Sequence, residues 1–93
     1  MNFGQAKAAF NRILAGRNID RRPQMQAIQA AIARMNAATA PDEAWRQDAQ
    51  TAMSLSQDAI ERGTCTYIID GVTFKTSDTT RAECESLPDS TFG

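Results

Sequence analysis

Histidine is absent from these 93 residues, and cysteine occurs only as Cys65 and Cys84. A zinc set of four ligands is thereby excluded, and any catalysis would have to rest on carboxylates, thiols, lysine or hydroxyls. Glycine stands at five separated positions, Gly4, Gly16, Gly63, Gly71 and Gly93, so there is no glycine-rich loop to cradle a phosphate. Aromatics are few, which leaves too little for a single-strand stacking platform. No apolar run approaches membrane-spanning length, and the opening Met-Asn-Phe-Gly-Gln-Ala-Lys has no signal-peptide hydrophobic core. A cytoplasmic location with no membrane association is expected.

Catalytic groupings are lacking as well. Asp42-Glu43 and the pair Glu83, Glu85 sit where a helix favours acids or water, and nothing beside them would raise a pKa. The threonines around residues 64–76 are strand formers without a neighbouring base. The chain therefore reads as a non-enzyme without a cofactor or metal.

What is present is best read outward from Gly63–Thr76. Asp70-Gly71 is the pair a two-residue type I′ turn requires, and β-branched and aromatic residues flank it. With that turn, Ile69 lies opposite Val72, Tyr67 opposite Phe74 and Cys65 opposite Thr76. Alternation then puts Cys65, Tyr67, Ile69, Val72 and Phe74 on one face, with Thr66, Ile68, Thr73 and Lys75 on the other. Helices must cover the apolar face, because a lone hairpin is marginal in water.

Three helices precede the hairpin. Asn2 with Gln5 forms a capping box for a helix over 3–15, with Gly16 at a left-handed C′ position. Asp20 caps a second helix that tolerates Pro23 and reaches Ala38, with Met25, Ile28, Ile32 and Met35 as its seam. Thr39 caps a third over Pro41–Arg62, ended by Gly63, its buried face running through Trp45, Ala49, Ala52, Met53, Ser56 and Ile60. After the hairpin, Ser77 or Asp78 caps a short helix through Cys84 and Leu87 that Pro88 stops. The fold class is mostly α (α+β), in the order α-α-α-β-β-α. Residues 1–88 form a single helical domain with the hairpin at 64–76, and residues 89–93 fray unless Phe92 docks. Cys65 and Cys84 fall close together; in a cytosolic chain they are read as reduced and partly buried in preference to a disulfide.

Charge is segregated along the chain. Residues 1–40 hold six basic side chains against Asp20 alone, a balance of +5; residues 41–93 hold four against ten acids, a balance of −6. Arg17, Arg21 and Arg22 cluster in a short connection, with Lys7, Arg12 and Arg34 as outliers. Arginine's planar fork suits carboxylate or phosphate oxygens, so these six are the candidate partner-binding residues. Replacing Arg17, Arg21 and Arg22 by Glu is expected to spare the fold and abolish binding.

The segment from Gly63 to Ala82, centred on Asp70-Gly71-Val72-Thr73-Phe74-Lys75-Thr76-Ser77-Asp78, resembles a segment of phage tail-assembly and tail-fibre proteins. As a compact, alanine-rich chain with segregated charge, the whole is similar in character to the small anti-CRISPR proteins of phages. That resemblance implies a non-enzymatic inhibitor in the host cell cytosol, a monomer or small homo-oligomer. Its partner would be a large host protein or ribonucleoprotein, bound at a nucleic-acid path or subunit junction. The alternatives are a phage structural or tail-assembly component and a small nucleic-acid-binding regulator.

Overall fold

The computed structural model describes residues 1–17, 23–57 and 62–93. Its elements are α1 (Phe3–Ala15), α2 (Met25–Ala37), α3 (Glu43–Ser56), β1 (Gly63–Ile69), β2 (Val72–Thr79), α4 (Arg81–Glu85) and β3 (Thr91–Phe92). The expected order α-α-α-β-β-α is present, with a third antiparallel strand added after it. The sheet runs β2-β1-β3.

α1 starts as its sequence dictates. The Gln5 amide donates to Asn2 Oδ1 at 2.8 Å and the Asn2 amide to Gln5 Oε1 at 2.9 Å, which satisfies two donors the helix start would leave free. Its buried stripe is Ala6, Ala9, Phe10, Ile13 and Leu14. Gly16 is right-handed at φ −78°, not the left-handed C′ residue expected, because the chain tightens through bonds from its amide to the Arg12 and Ile13 carbonyls. α2 begins at Met25 after a turn at Pro23-Gln24 and buries Ile28, Ala31 and Met35, with Met25 and Ile32 half-buried. The expected cap Asp20 lies outside the described residues.

α3 is shorter than the sequence suggests. Its cap is Asp42 rather than Thr39, since the Asp42 carboxylate takes the Trp45 amide at 2.9 Å. It ends at Ser56 with an extended Gln57, and Ile60 lies outside the described residues. Trp45 is the hub of the core: Phe3, Phe10 and Phe74 all meet its ring edge-on at centroid distances of 5.3–6.0 Å. Tyr67 stacks on Phe74 with an interplanar angle of 16° and shares a buried 2.7 Å hydrogen bond with Thr76 Oγ1. Burial pushes the Tyr67 hydroxyl up to about 12, against smaller opposing contributions from Thr76 and Arg46.

The hairpin has the register expected of it, Ile69↔Val72, Tyr67↔Phe74 and Cys65↔Thr76. Asp70 at φ 50° and Gly71 at φ 81° supply the two left-handed residues of the turn. Val72, expected inward, is instead 56% exposed, because it stands beside the turn at the strand's end.

Gly63 does not cap a helix. It opens β1, and a Cβ there would come within 2.7 Å of the Gly93 carbonyl and 2.9 Å of the Phe92 ring. Glycine is required because β3 crosses so closely. Residues 89–93 therefore dock through Phe92: Cys65 pairs with Phe92, Thr66 with Thr91, and Thr64 and Gly93 exchange two 3.0 Å hydrogen bonds. Farther along the same edge, Met1 donates to the Ile68 carbonyl at 3.1 Å and accepts from the Asp70 amide at 2.9 Å. The two ends of the chain thus cover one edge of β1.

Cys65 and Cys84 form a disulfide with Cα atoms 5.5 Å apart, so the expectation of reduced thiols is corrected. The helix carrying Cys84 starts later than expected, capped by Thr80 with Glu83 rather than by Ser77 or Asp78, because β2 continues to Thr79. That offset sets Cys84 over β1.

Candidate functional site

Of the basic residues singled out by sequence, Arg17 is the most deeply engaged among those described. Its side chain is only 6% exposed. All five guanidinium N–H groups find acceptors: Nε and Nη2 fork onto the Glu83 carboxylate, Nη1 donates to the Met53 carbonyl at 2.8 Å and to Ser56 Oγ at 3.0 Å, and Nη2 also reaches the Asp78 carbonyl at 2.9 Å. Arg17, two residues beyond the end of α1, thereby ties together α3, the end of β2 and α4. Burial pushes the Glu83 carboxyl up, but the Arg17 fork and the Thr80 amide outweigh it, and the net shift is below the usual carboxylate range. Replacing Arg17 by Glu would set two carboxylates together, so the expectation that this change spares the fold is reversed.

The signal for this arrangement was faint in the sequence. Thr80 and Glu83 have capping-box spacing, and Glu83 Oε1 does accept from the Thr80 amide at 3.0 Å. Nothing in a 66-residue separation says that the same carboxylate also holds Arg17.

The other described basic residues of the six do not converge. Lys7 Nζ donates to the Ala38 carbonyl at 3.0 Å, beyond the end of α2, and lies 4.8 Å from the centre of the Phe3 ring. Arg34 pairs with Asp48 at 2.9 Å. With Arg17–Glu83, this second pair joins the basic half of the chain to the acidic half, and the charge segregation of the sequence is partly cancelled in space. Arg12 stays exposed beside a shallow groove formed with Ile13, Gly16, Ala82, Glu83 and Ser86. Arg21 and Arg22 lie outside the described residues.

A different surface stands out. α3 and α4, with Phe10 of α1 against Tyr67, cover one face of the sheet, and the opposite face carries Thr66, Ile68, Thr73 and Lys75. Ile68 at 39% and Val72 at 56% are the exposed large hydrophobic residues among those described. The free edge of β2 is closed at one end, where Gln50 Oε1 accepts from the Ser77 amide at 2.9 Å and Gln50 Nε2 donates to Ser77 Oγ at 2.7 Å. In a hairpin closed by a two-residue turn, Val72 and Phe74 bond to β1, so the backbone groups of Thr73 and Lys75 point to that free edge. Ile68, Thr73 and Lys75 thus present apolar surface, a hydroxyl and a cation beside backbone groups that meet no further strand among the described residues.

Among the described residues no group of three His, Cys, Asp or Glu side chains is placed to hold a metal ion. No helix there is long and apolar enough to cross a membrane. No family model matches the sequence, and no curated protein or solved structure matches it either.

Proposed function

We propose that this chain is a non-enzymatic binding protein that docks on a larger protein through the open face of its hairpin. The observation carrying this reading is the exposure of Ile68 on the outward row with Thr66, Thr73 and Lys75, with Val72, the turn-end residue of the inward row, adding exposed apolar surface at the tip of the hairpin. A hairpin can bury isoleucine and valine, and leaving both in water is productive where a partner covers them. Lys75 and the hydroxyls of Thr66 and Thr73 provide the polar rim of such a contact.

The phage-type inhibitor implied by the resemblance, which occupies a junction of a bacterial defence complex, would act through this surface. A structural or tail-assembly component is the alternative. The nucleic-acid regulator has less support, because Lys7, Arg17 and Arg34 are engaged within the chain, leaving Arg12 among the described residues of the basic set for a phosphate backbone.

The test is an Ile68→Asp, Val72→Asp double variant compared with the wild-type chain as bait in cells where the protein occurs. The variant should keep its circular dichroism spectrum and lose the partner that the wild type retains. If it keeps that partner while an Arg12→Glu, Arg21→Glu, Arg22→Glu variant loses it, the basic connection is the site instead. Sizing the wild-type protein separates the roles: a soluble monomer or small oligomer fits an inhibitor, and incorporation into virions fits a structural part.

A further inference from the structure

The Cys65–Cys84 bond sits where three elements meet. Cys65 belongs to the inward row of β1 with Tyr67 and Ile69, paired with Thr76 on one side and Phe92 on the other. Cys84 belongs to α4, which has five residues, too few to hold a helix in water by local interactions. The two cysteines are 0% and 1% exposed.

α4 is held by its capping box, by the Arg17 fork on Glu83, and by Ser90 Oγ, which bonds the Cys84 and Leu87 carbonyls at 2.6 and 2.7 Å. Apart from the main chain through Thr80, which joins α4 to β2, the disulfide is the covalent tie that holds α4 to β1. Small domains with a modest core depend on such cross-links, and those cross-links form and persist where thiols are not kept reduced.

We infer that the chain acquires this bond and acts in an oxidising compartment, so that its partner is met there and not in a reducing cytosol. The oxidant is a protein or small-molecule disulfide. One cysteine thiolate attacks it and forms a mixed disulfide, releasing one oxidant thiol. The second cysteine thiolate attacks the chain's own sulfur in that mixed bond and releases the other. Two electrons pass from the chain to the oxidant, and the two protons end on the released thiols. Because both sulfurs are buried in the finished fold, this exchange takes place before α4 closes on β1, and later reduction requires α4 to open first.

The inference keeps the docking surface of the preceding reading but weighs against the cytosolic inhibitor and toward a structural or assembly role outside the reducing cytosol, and it stands on a different observation. Changing Ile68 and Val72 leaves the cysteine state unaltered, so failure of one does not entail failure of the other.

Acid-quenched thiol trapping tests it in the cells where the full chain naturally occurs, with a maleimide–polyethylene glycol reagent as the probe. The expected result is no added mass without prior reduction and two additions after reduction in denaturant. Two additions without reduction would overturn the inference. A second measurement on the purified wild-type protein compares melting with and without dithiothreitol under conditions that fully reduce the bond. Reduction should lower the melting temperature by about 10 °C or more. A reduced chain that melts together with the oxidised one would equally overturn the inference, since the fold would then have no need of the bond.

Discussion

Two polar regions of this molecule differ in every respect that matters for function. Around Arg17 a cation is enclosed, with each of its donors matched to an acceptor on one of three other elements. On the outer face of the hairpin, Lys75 stands in solvent beside Ile68 and Thr73. An arginine so completely paired has nothing left to offer a partner. A lysine on a strand edge is free to meet an acidic one, and also discourages uncontrolled strand pairing. Position in the fold, more than residue type, separates the cation that stabilises from the cation that recognises.

Arg17→Ala should have the largest effect of the changes that probe this contrast. It leaves the Glu83 carboxylate, the Met53 and Asp78 carbonyls and Ser56 Oγ without their donor, and breaking a buried pair from one side costs about 3–5 kcal/mol. Urea denaturation measures it, and a change below about 1 kcal/mol would show that the enclosed cation is no more structural than an exposed one.

Glu83→Gln sharpens the same side through pH. The folded-state pKa of Glu83 is depressed, so its contribution is fully present above the unfolded carboxylate value of about 4.3 and is lost as pH falls through the folded value. Wild-type melting temperature should fall between neutral pH and about pH 3 more steeply than that of the Gln variant. Parallel profiles would remove Glu83 from the account of acid sensitivity.

The hairpin side should respond more weakly. A side chain at Gly71 would meet nothing within 4 Å, so Gly71→Val tests backbone strain at φ 81° alone and should cost about 1 kcal/mol or somewhat more. An unchanged melting temperature would mean that the turn relaxes freely, and that the open face is less rigid than a binding surface requires.

Much of the architecture was legible in the chain because local rules and burial pointed the same way. The Asn2–Gln5 box sets the start of α1, and Asp70-Gly71 with its alternating neighbours sets the hairpin register to the residue. The outward row of Ile68, Thr73 and Lys75 could be read in the same manner, though not its standing as the main exposed surface. Arg17 misled because a sequence displays charge without its counter-charge, and Glu83 lies 66 positions away.

The amino-acid sequence by itself determined the order of the helices and the hairpin and how β1 meets β2, since capping, turn chemistry and period-two alternation act over a few residues; the end of α3 at Ser56, the reach of β2 to Thr79 and the strand β3 were set by packing. Tertiary structure alone decided that Arg17 turns inward, that Cys84 reaches Cys65, that Gly63 makes room for Phe92, and that Met1 and β3 share an edge of β1. Those outcomes join residues far apart in the chain, and their energies come from desolvation and mutual pairing that exist only once the elements have packed.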